Sequence, residues 1–357
     1  MADVDTLAGT KPVDPKQQFD GAQLERYLAQ TIPRFKGPLM VEQFKGGRSN
    51  PTFKLRTPGK DYVLRCKPAG TLLASAHAVD REYKVITALA DSAVPVPKTH
   101  LLCEDDNIIG TAFYVMDCVD GRMLWDPALP GMAPAERRSI FMEMNRVIVA
   151  LHKLDYARIG LADYGKPGNY FARQIARWSK VYRTSETRRI DAFEDLIAWL
   201  PKNIPGGDET CIVHGDYRLD NLIFHASEPR VVAVLDWELS TLGHPLADFS
   251  YHCLTWHLPP GVLRGLAGVN LEPLGIPTEA EYLIAYCQAT GRAAIDPDDW
   301  DFYTAYNLFR IGAIAQGIAG RVREGTATSA DAREVGEAAG PLAELGWQQV
   351  EKILSRA

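Results

Sequence analysis

Apolar and polar positions change period several times along the chain, and the changes mark out its elements. Residues 1–20 mix Pro, Gly, Asp and Lys with no sustained period and read as a loose tail, with the fold starting near Phe19 to Leu28. Val41 to Phe44, Thr52 to Arg56 and Tyr62 to Lys67 are short segments rich in Val, Phe, Tyr and Leu. The breaks between them, Gly46-Gly47 and Pro58-Gly59, predict an antiparallel meander. From Asp80 to Ala90 the apolar residues Tyr83, Val85, Ile86 and Leu89 recur at helical spacing, and Pro95 and Pro97 end that pattern. Ile108 to Val119 is a further apolar stretch closed by Asp120-Gly121, which predicts a last strand and a crossover.

The segment Glu136 to Leu154 places Ile140, Met144, Val147, Ile148, Leu151 and Leu154 on one stripe, the pattern of a core helix. His152 closes that stripe and reads as a core histidine. Tyr164 to Gly207 has no dominant period. Then come Cys211 to Asp216, Leu222 to Phe224, and Val231 to Leu235 running straight into Asp236. Strands joined by the polar turn Ser227 to Arg230 are expected to bring Asp216 and Asp236 near each other. From about Glu279 the chain reads as helices, with Phe302, Tyr306, Phe309, Ile314 and Ile318 fitting a stripe only loosely. No internal repeat is visible.

At 357 residues the chain exceeds the size at which one core stops growing, about 250–300 residues, so two lobes are expected. Its 46% hydrophobic and 24% charged residues are those of a globular protein. A net charge of −6 without a basic block argues against DNA or RNA as a partner. No apolar run reaches about 18 residues, and the acidic, polar start lacks the basic then apolar run of a secretory signal, so a cytoplasmic protein without a membrane partner is expected. Six cysteines without a C-x-x-C pair fit reduced thiols. His252, Cys253 and His257 lack a second ligand pair and read as packing.

The chemistry concentrates in His214-Gly215-Asp216-Tyr-Arg-Leu-Asp-Asn221, followed by Asp236 at the end of an apolar strand. Phosphoryl transfer needs a carboxylate to orient the attacking hydroxyl and a separate oxygen set to hold magnesium against the nucleotide phosphates. An Asp, an Asn five residues on, and an Asp ending a later strand supply both, at the H-x-D-x-x-x-x-N spacing of kinase catalytic loops.

On these residues the chain resembles the aminoglycoside phosphotransferase and choline kinase superfamily. Together with Val-Leu-Asp236-Trp-Glu-Leu-Ser-Thr-Leu-Gly243 and Pro245-Leu-Ala-Asp248, they are similar to the branch fused to acyl-CoA dehydrogenases in some proteins. The resemblance spans roughly Phe19 to Arg323 and leaves no room here for a dehydrogenase part. It implies an α+β, two-lobed protein-kinase-like fold: a tail at 1–18, a small antiparallel-sheet N-lobe at 19–117 that binds nucleotide, and a larger, mainly helical C-lobe at 118–357 with the catalytic loop and substrate site.

It further implies that Asp216 is the catalytic base or hydroxyl-orienting group, that Asn221 and Asp236 are the magnesium ligands, that Asp248 braces the catalytic loop, and that His214 is structural. ATP and Mg2+ are the implied cofactors. The Gly46-Gly47-Arg48-Ser49-Asn50 segment, between two predicted strands, could approach the triphosphate through backbone N–H groups, or be a plain turn. Kinase-like folds pair a cation on the third strand with an acid on the next helix. Arg65 and Lys67, at i and i+2 on one strand face, both qualify, and the sequence does not separate them. Glu82 matches the acid. Base recognition is implied at backbone groups of Asp117 and Val119.

Two departures from protein kinases stand out: Asp236-Trp237-Glu238 in place of Asp-Phe-Gly, and Gly215 in place of Arg. Only 11 residues separate Asp236 from Asp248, too few for a long activation segment, which favours a small hydroxylated acceptor. Arg218, two residues past the base, could hold an anionic group of that acceptor, and the branch makes a hydroxy acid or its CoA thioester plausible. Trp237, Glu238, Trp256 and Asp299 keep an aminoglycoside or choline acceptor open. The competing class, a non-catalytic nucleotide-binding protein, would be favoured by loss of Asp216, Asn221 or Asp236, yet all three are present.

Overall fold

The computed structural model describes residues 9–45, 50–68, 78–261, 264–327 and 331–356. The chain is mixed α and β, with an antiparallel sheet in its N-terminal region and helices dominating the C-terminal part. It divides into two compact units that are not contiguous in sequence. The first gathers the chain up to Trp125 with Ala157–Tyr164 and Leu219–Ser240; the second holds Asp126–Tyr156, Gly165–Arg218 and Thr241 onward.

In the first unit, strands β1 (Thr10–Lys11), β2 (Met40–Phe44), β3 (Thr52–Arg56), β4 (Tyr62–Cys66), β5 (Thr99–Cys103) and β6 (Phe113–Asp117) form a sheet of order β1-β2-β3-β4-β6-β5. Every neighbouring pair is antiparallel. The meander β2–β4 falls where the apolar segments and their Gly and Pro breaks predicted it, and Phe53, Leu55 and Leu64 turn inward onto one core. Helix α1 (Gly21–Thr31) contributes Leu24 and Leu28 to that core, and Asp20 caps it by accepting from the N–H groups of Ala22 and Gln23. The segment read as a tail carries β1, with Thr10 opposite Phe44.

The apolar run 108–119 resolves into a turn at its start and β6 at its end, while β5 carried no distinct strand signal before it. Helix α2 (Val79–Leu89) buries Val79, Glu82, Val85, Ile86 and Leu89, so one carboxylate shares the stripe that faces the interior. Further along, Leu222–Phe224 and Val231–Val234 pair as an antiparallel hairpin, with Val234 opposite Leu222.

The second unit is built from helices α3 (Pro134–His152), α4 (Tyr170–Ser185), α5 (Asp191–Trp199), α6 (Pro245–Cys253), α7 (Glu279–Thr290), α8 (Pro297–Arg323), α9 (Ala332–Glu337) and α10 (Ala339–Arg356). A two-strand ladder, Cys211–Val213 with Thr241–Gly243, holds the entry to the loop at His214 against the start of α6. Helix α8 packs on α4, α6, α9 and α10, and every residue from Trp300 to Arg310 is buried. A helix enclosed on all sides has no polar face, which is why its sequence fits a stripe so loosely. Helices α4 and α5 lie in the stretch that showed no period. No helix among the described residues is long and apolar enough to cross a membrane.

Candidate active site

The first unit assembles an ionic cluster in which Arg65 and Glu82 are buried and Asp236 and Glu238 are partly exposed. Arg65, on β4, extends its guanidinium to Glu82 of α2, with Nε 3.0 Å from Oε2. Its Nη2 donates to Asp236 Oδ1 at 2.7 Å and to Glu238 Oε2 at 3.4 Å. Glu82 is 1% exposed, and it also accepts from Asn50 Nδ2 at 2.7 Å and from the Tyr114 hydroxyl at 3.1 Å. Burial opposes the Arg65 charge, but Glu82 and Asp236 outweigh it and hold the guanidinium protonated above its ordinary range. Lys67 lies just past the end of β4, half-exposed, with Nζ 3.9 Å from Asp80 Oδ1. Of the two cations that the sequence left open, Arg65 is the one paired with Glu82.

The hairpin sets the two oxygen donors side by side. Leu235 N–H donates to the Asn221 carbonyl at 2.8 Å, so Asn221 and Asp236 sit at adjoining ends of the two strands. Asp236 adopts φ 63°, a left-handed conformation that Asp tolerates better than most residues. The next residue, Trp237, is buried and ties its indole N–H to the Val234 carbonyl at 3.0 Å, fixing the turn that presents the carboxylate. Asn221 supplies an amide oxygen and Asp236 a carboxylate, the hard donors suited to a cation that keeps its remaining positions for water and phosphate.

Asp117 ends β6 with its N–H bonded to the Lys98 carbonyl at 2.8 Å, and its side chain accepts from Lys60 and His100. The pull of these two donors outweighs burial and holds that carboxyl below its usual range. Val119 follows two residues later, outside any strand. Gly46, Gly47, Arg48 and Ser49 lie outside the described residues.

The second unit holds the loop residues His214 to Arg218. Asp248, in the first turn of α6, accepts from His214 N–H at 2.7 Å through Oδ2 and from Gly215 N–H at 2.8 Å through Oδ1. His152 Nε2 lies 3.3 Å from Oδ2, and its Nδ1 is 2.8 Å from the Tyr286 hydroxyl, so this histidine is satisfied by core partners. The Asp216 N–H donates in turn to His214 Nδ1 at 3.2 Å. Gly215 stands at φ 83°, a conformation that a side chain would strain, which accounts for glycine at this position.

Although complete burial alone would raise the Asp248 carboxyl, His152, His214 and the Gly215 N–H hold it below the ordinary range. Its contribution to stability is therefore present above the unfolded carboxyl pKa, about 4, and is lost as pH falls through the depressed folded value. Asp248→Ala is expected to destabilise the protein by about 3–5 kcal/mol, the cost of breaking a buried charged pair, and to flatten the acid limb of its unfolding curve. Chemical denaturation followed at several pH values checks this.

Asp216 itself is held by two side chains on one oxygen. The Tyr251 hydroxyl donates to Oδ1 at 2.5 Å, and Arg218 Nε lies 3.1 Å from the same atom. Arg310 of α8 donates to the Gly215 carbonyl at 2.5 Å, and its guanidinium carbon sits 4.9 Å from the Tyr251 ring centre. Neither Tyr251 nor Arg310 was singled out from the sequence. The available signals were a tyrosine three residues past Asp248, and an arginine inside an apolar helix. His252 and His257, close in sequence, serve different partners: Tyr282 at 2.7 Å and Glu279 at 2.7 Å.

The fold is of the kinase-like class, and the chain belongs to the phosphotransferase enzyme family (APH), whose model matches residues 41–306. Mouse acyl-CoA dehydrogenase family member 10 is 45% identical over 344 residues, which cover 96% of this chain. The chain spans only 32% of that protein's length, and 46% of the rat family member 11 that it also matches. A solved Ralstonia eutropha protein assigned to the aminoglycoside phosphotransferases is 57% identical, with a TM-score of 0.87 over 94% of this chain and 99% of that one.

Two distant structures share the fold. Choline kinase from Cryptosporidium parvum is 12% identical, with a TM-score of 0.64 over 94% of this chain and 97% of its own. An aminoglycoside phosphotransferase in ternary complex with ADP and hygromycin B is 14% identical, with a TM-score of 0.59 over 91% of this chain and 98% of its own.

Proposed function

We propose that the protein transfers the γ-phosphate of ATP, with Mg2+, to a hydroxyl of a small metabolite, and acts in the cytoplasm. The observation that carries the reading is the cluster in which Arg65 bridges Glu82 and Asp236 while Asn221 adjoins Asp236. It supplies a fixed cation for phosphate oxygens and two hard oxygen donors for the metal. Asn221 and Asp236 would hold magnesium, which when bound neutralises phosphate charge. Asn50 reinforces Glu82, and the carbonyl of Asp117 and the N–H of Val119 are the backbone groups that would meet the base. The bound ADP of the hygromycin relative supports a nucleotide donor.

Asp216 takes the proton from the acceptor hydroxyl as that oxygen bonds to the γ-phosphorus. The bond from phosphorus to the β–γ bridging oxygen breaks, and ADP leaves. For the acceptor we favour a hydroxy acid or hydroxyacyl-CoA over an amino alcohol or aminoglycoside. Arg218 places a half-exposed cation beside Asp216, suited to a carboxylate or phosphate on the acceptor, and Trp237 is enclosed in packing rather than open to a ligand cation. The names of the curated relatives point the same way.

The test is ADP release across a panel of hydroxy acids, hydroxyacyl-CoAs, amino alcohols and aminoglycosides, with and without Mg2+. Magnesium-dependent stimulation by the anionic acceptors is expected. Stimulation by amino alcohols or aminoglycosides alone would overturn the acceptor assignment, and failure to bind ATP with Mg2+ would overturn the reaction.

A further inference from the structure

We infer that Tyr251 is a positioning residue for the catalytic carboxylate, locked in place by Arg310; the inference rests on Asp216 being the base. The loop carrying Asp216 has its backbone fixed by Asp248, but those bonds end at the Asp216 N–H and leave the side-chain torsions to other groups. Tyr251 supplies the constraint from α6, one turn after Asp248, through its 2.5 Å bond to Oδ1. A phenol has two torsions and a rigid reach, so it sets the carboxylate plane at smaller entropic cost than a long flexible side chain. Arg218 approaches the same oxygen from the loop, and with its side chain half-exposed it is the less fixed of the two.

Arg310 makes the arrangement stiff. It is 6% exposed, lies over the Tyr251 ring, and donates to the Gly215 carbonyl, so one guanidinium ties α8 both to the phenol and to the residue before Asp216. The charged and titratable groups around the carboxylate include, among the described residues, Tyr251 from α6, Arg310 from α8, and His214 and Arg218 from its own loop. Tyr251 donates a proton it does not lose: burial, and next the Asp216 charge, push its hydroxyl far above the ordinary phenol range. Its contribution is a fixed hydrogen bond to a charge, and it takes no part in proton exchange.

Tyr251→Phe keeps the ring and removes the donor. Losing a hydrogen bond to a carboxylate makes the protonated acid easier to reach, so the acidic limb of the kcat profile is expected to move up by about one pH unit. With the carboxylate less well aligned, kcat at the optimum is expected to fall about tenfold while the KM for ATP stays within about twofold. Placing 3-fluorotyrosine at position 251 strengthens the donor and should move the same limb the opposite way, which a packing role would not do. It also serves as the second variant if the phenylalanine form folds poorly. Unchanged pH profiles in both variants, with Asp216→Asn inactive, would overturn the role of Tyr251 alone. Wild-type turnover in Asp216→Asn would instead remove the base on which the inference rests.

Discussion

Asp216→Asn is expected to lower kcat by about 10²–10⁴-fold while leaving the affinity for ATP and Mg2+ nearly unchanged. The substitution preserves shape, and the asparagine oxygen can still accept from Tyr251, so the loop braced by Asp248 keeps its form. What disappears is the capacity to accept the hydroxyl proton as the new bond to phosphorus forms. Steady-state turnover measured beside nucleotide titration separates the two properties. Turnover equal to the parent chain would exclude Asp216 from the chemistry.

Asp236→Ala is expected to act on the nucleotide instead. It removes the carboxylate proposed to hold magnesium and also takes one partner from Arg65, which is left with Glu82 and Glu238. Loss of a ligand carboxylate and its charge is expected to cost about 3–4 kcal/mol, which corresponds to about 10²–10³-fold weaker binding of ATP in the presence of Mg2+. Calorimetric titration with and without the metal reads this directly. In the alanine variant the two titrations should converge, and a persistent magnesium effect of parental size would count against Asp236 as a ligand.

Much of the fold was legible because local period and local burial agree. Strand β3, α2 and α3 each carry their inward residues at the spacing of one covered face, and the breaks at Gly46-Gly47 and Pro58-Gly59 delimit the rest of the meander. Legibility failed where an element is covered all round, as in α8, and where a short strand depends on its neighbours, as in β5. Strand β1 was hidden for the same reason: two residues hold a strand only because β2 offers an open edge. The candidate site divides along similar lines. Asp216 and Asn221 were singled out by a fixed spacing within one loop, and Asp236 by its place at the end of an apolar strand.

By itself the sequence determined the β2–β4 meander, the amphipathic helices α2 and α3, and the residue types and spacing of the His214–Asn221 loop, since all of these are set by neighbours within a few residues. Tertiary structure alone decided that Arg65, not Lys67, meets Glu82, because β4 ends at Cys66 and leaves Lys67 beyond it, half-exposed beside Asp80. It also decided that Tyr251 reaches Asp216 and Arg310 reaches Gly215, across 35 and 95 positions of chain. Contacts of that separation depend on how whole helices pack, and no local pattern of residues records them.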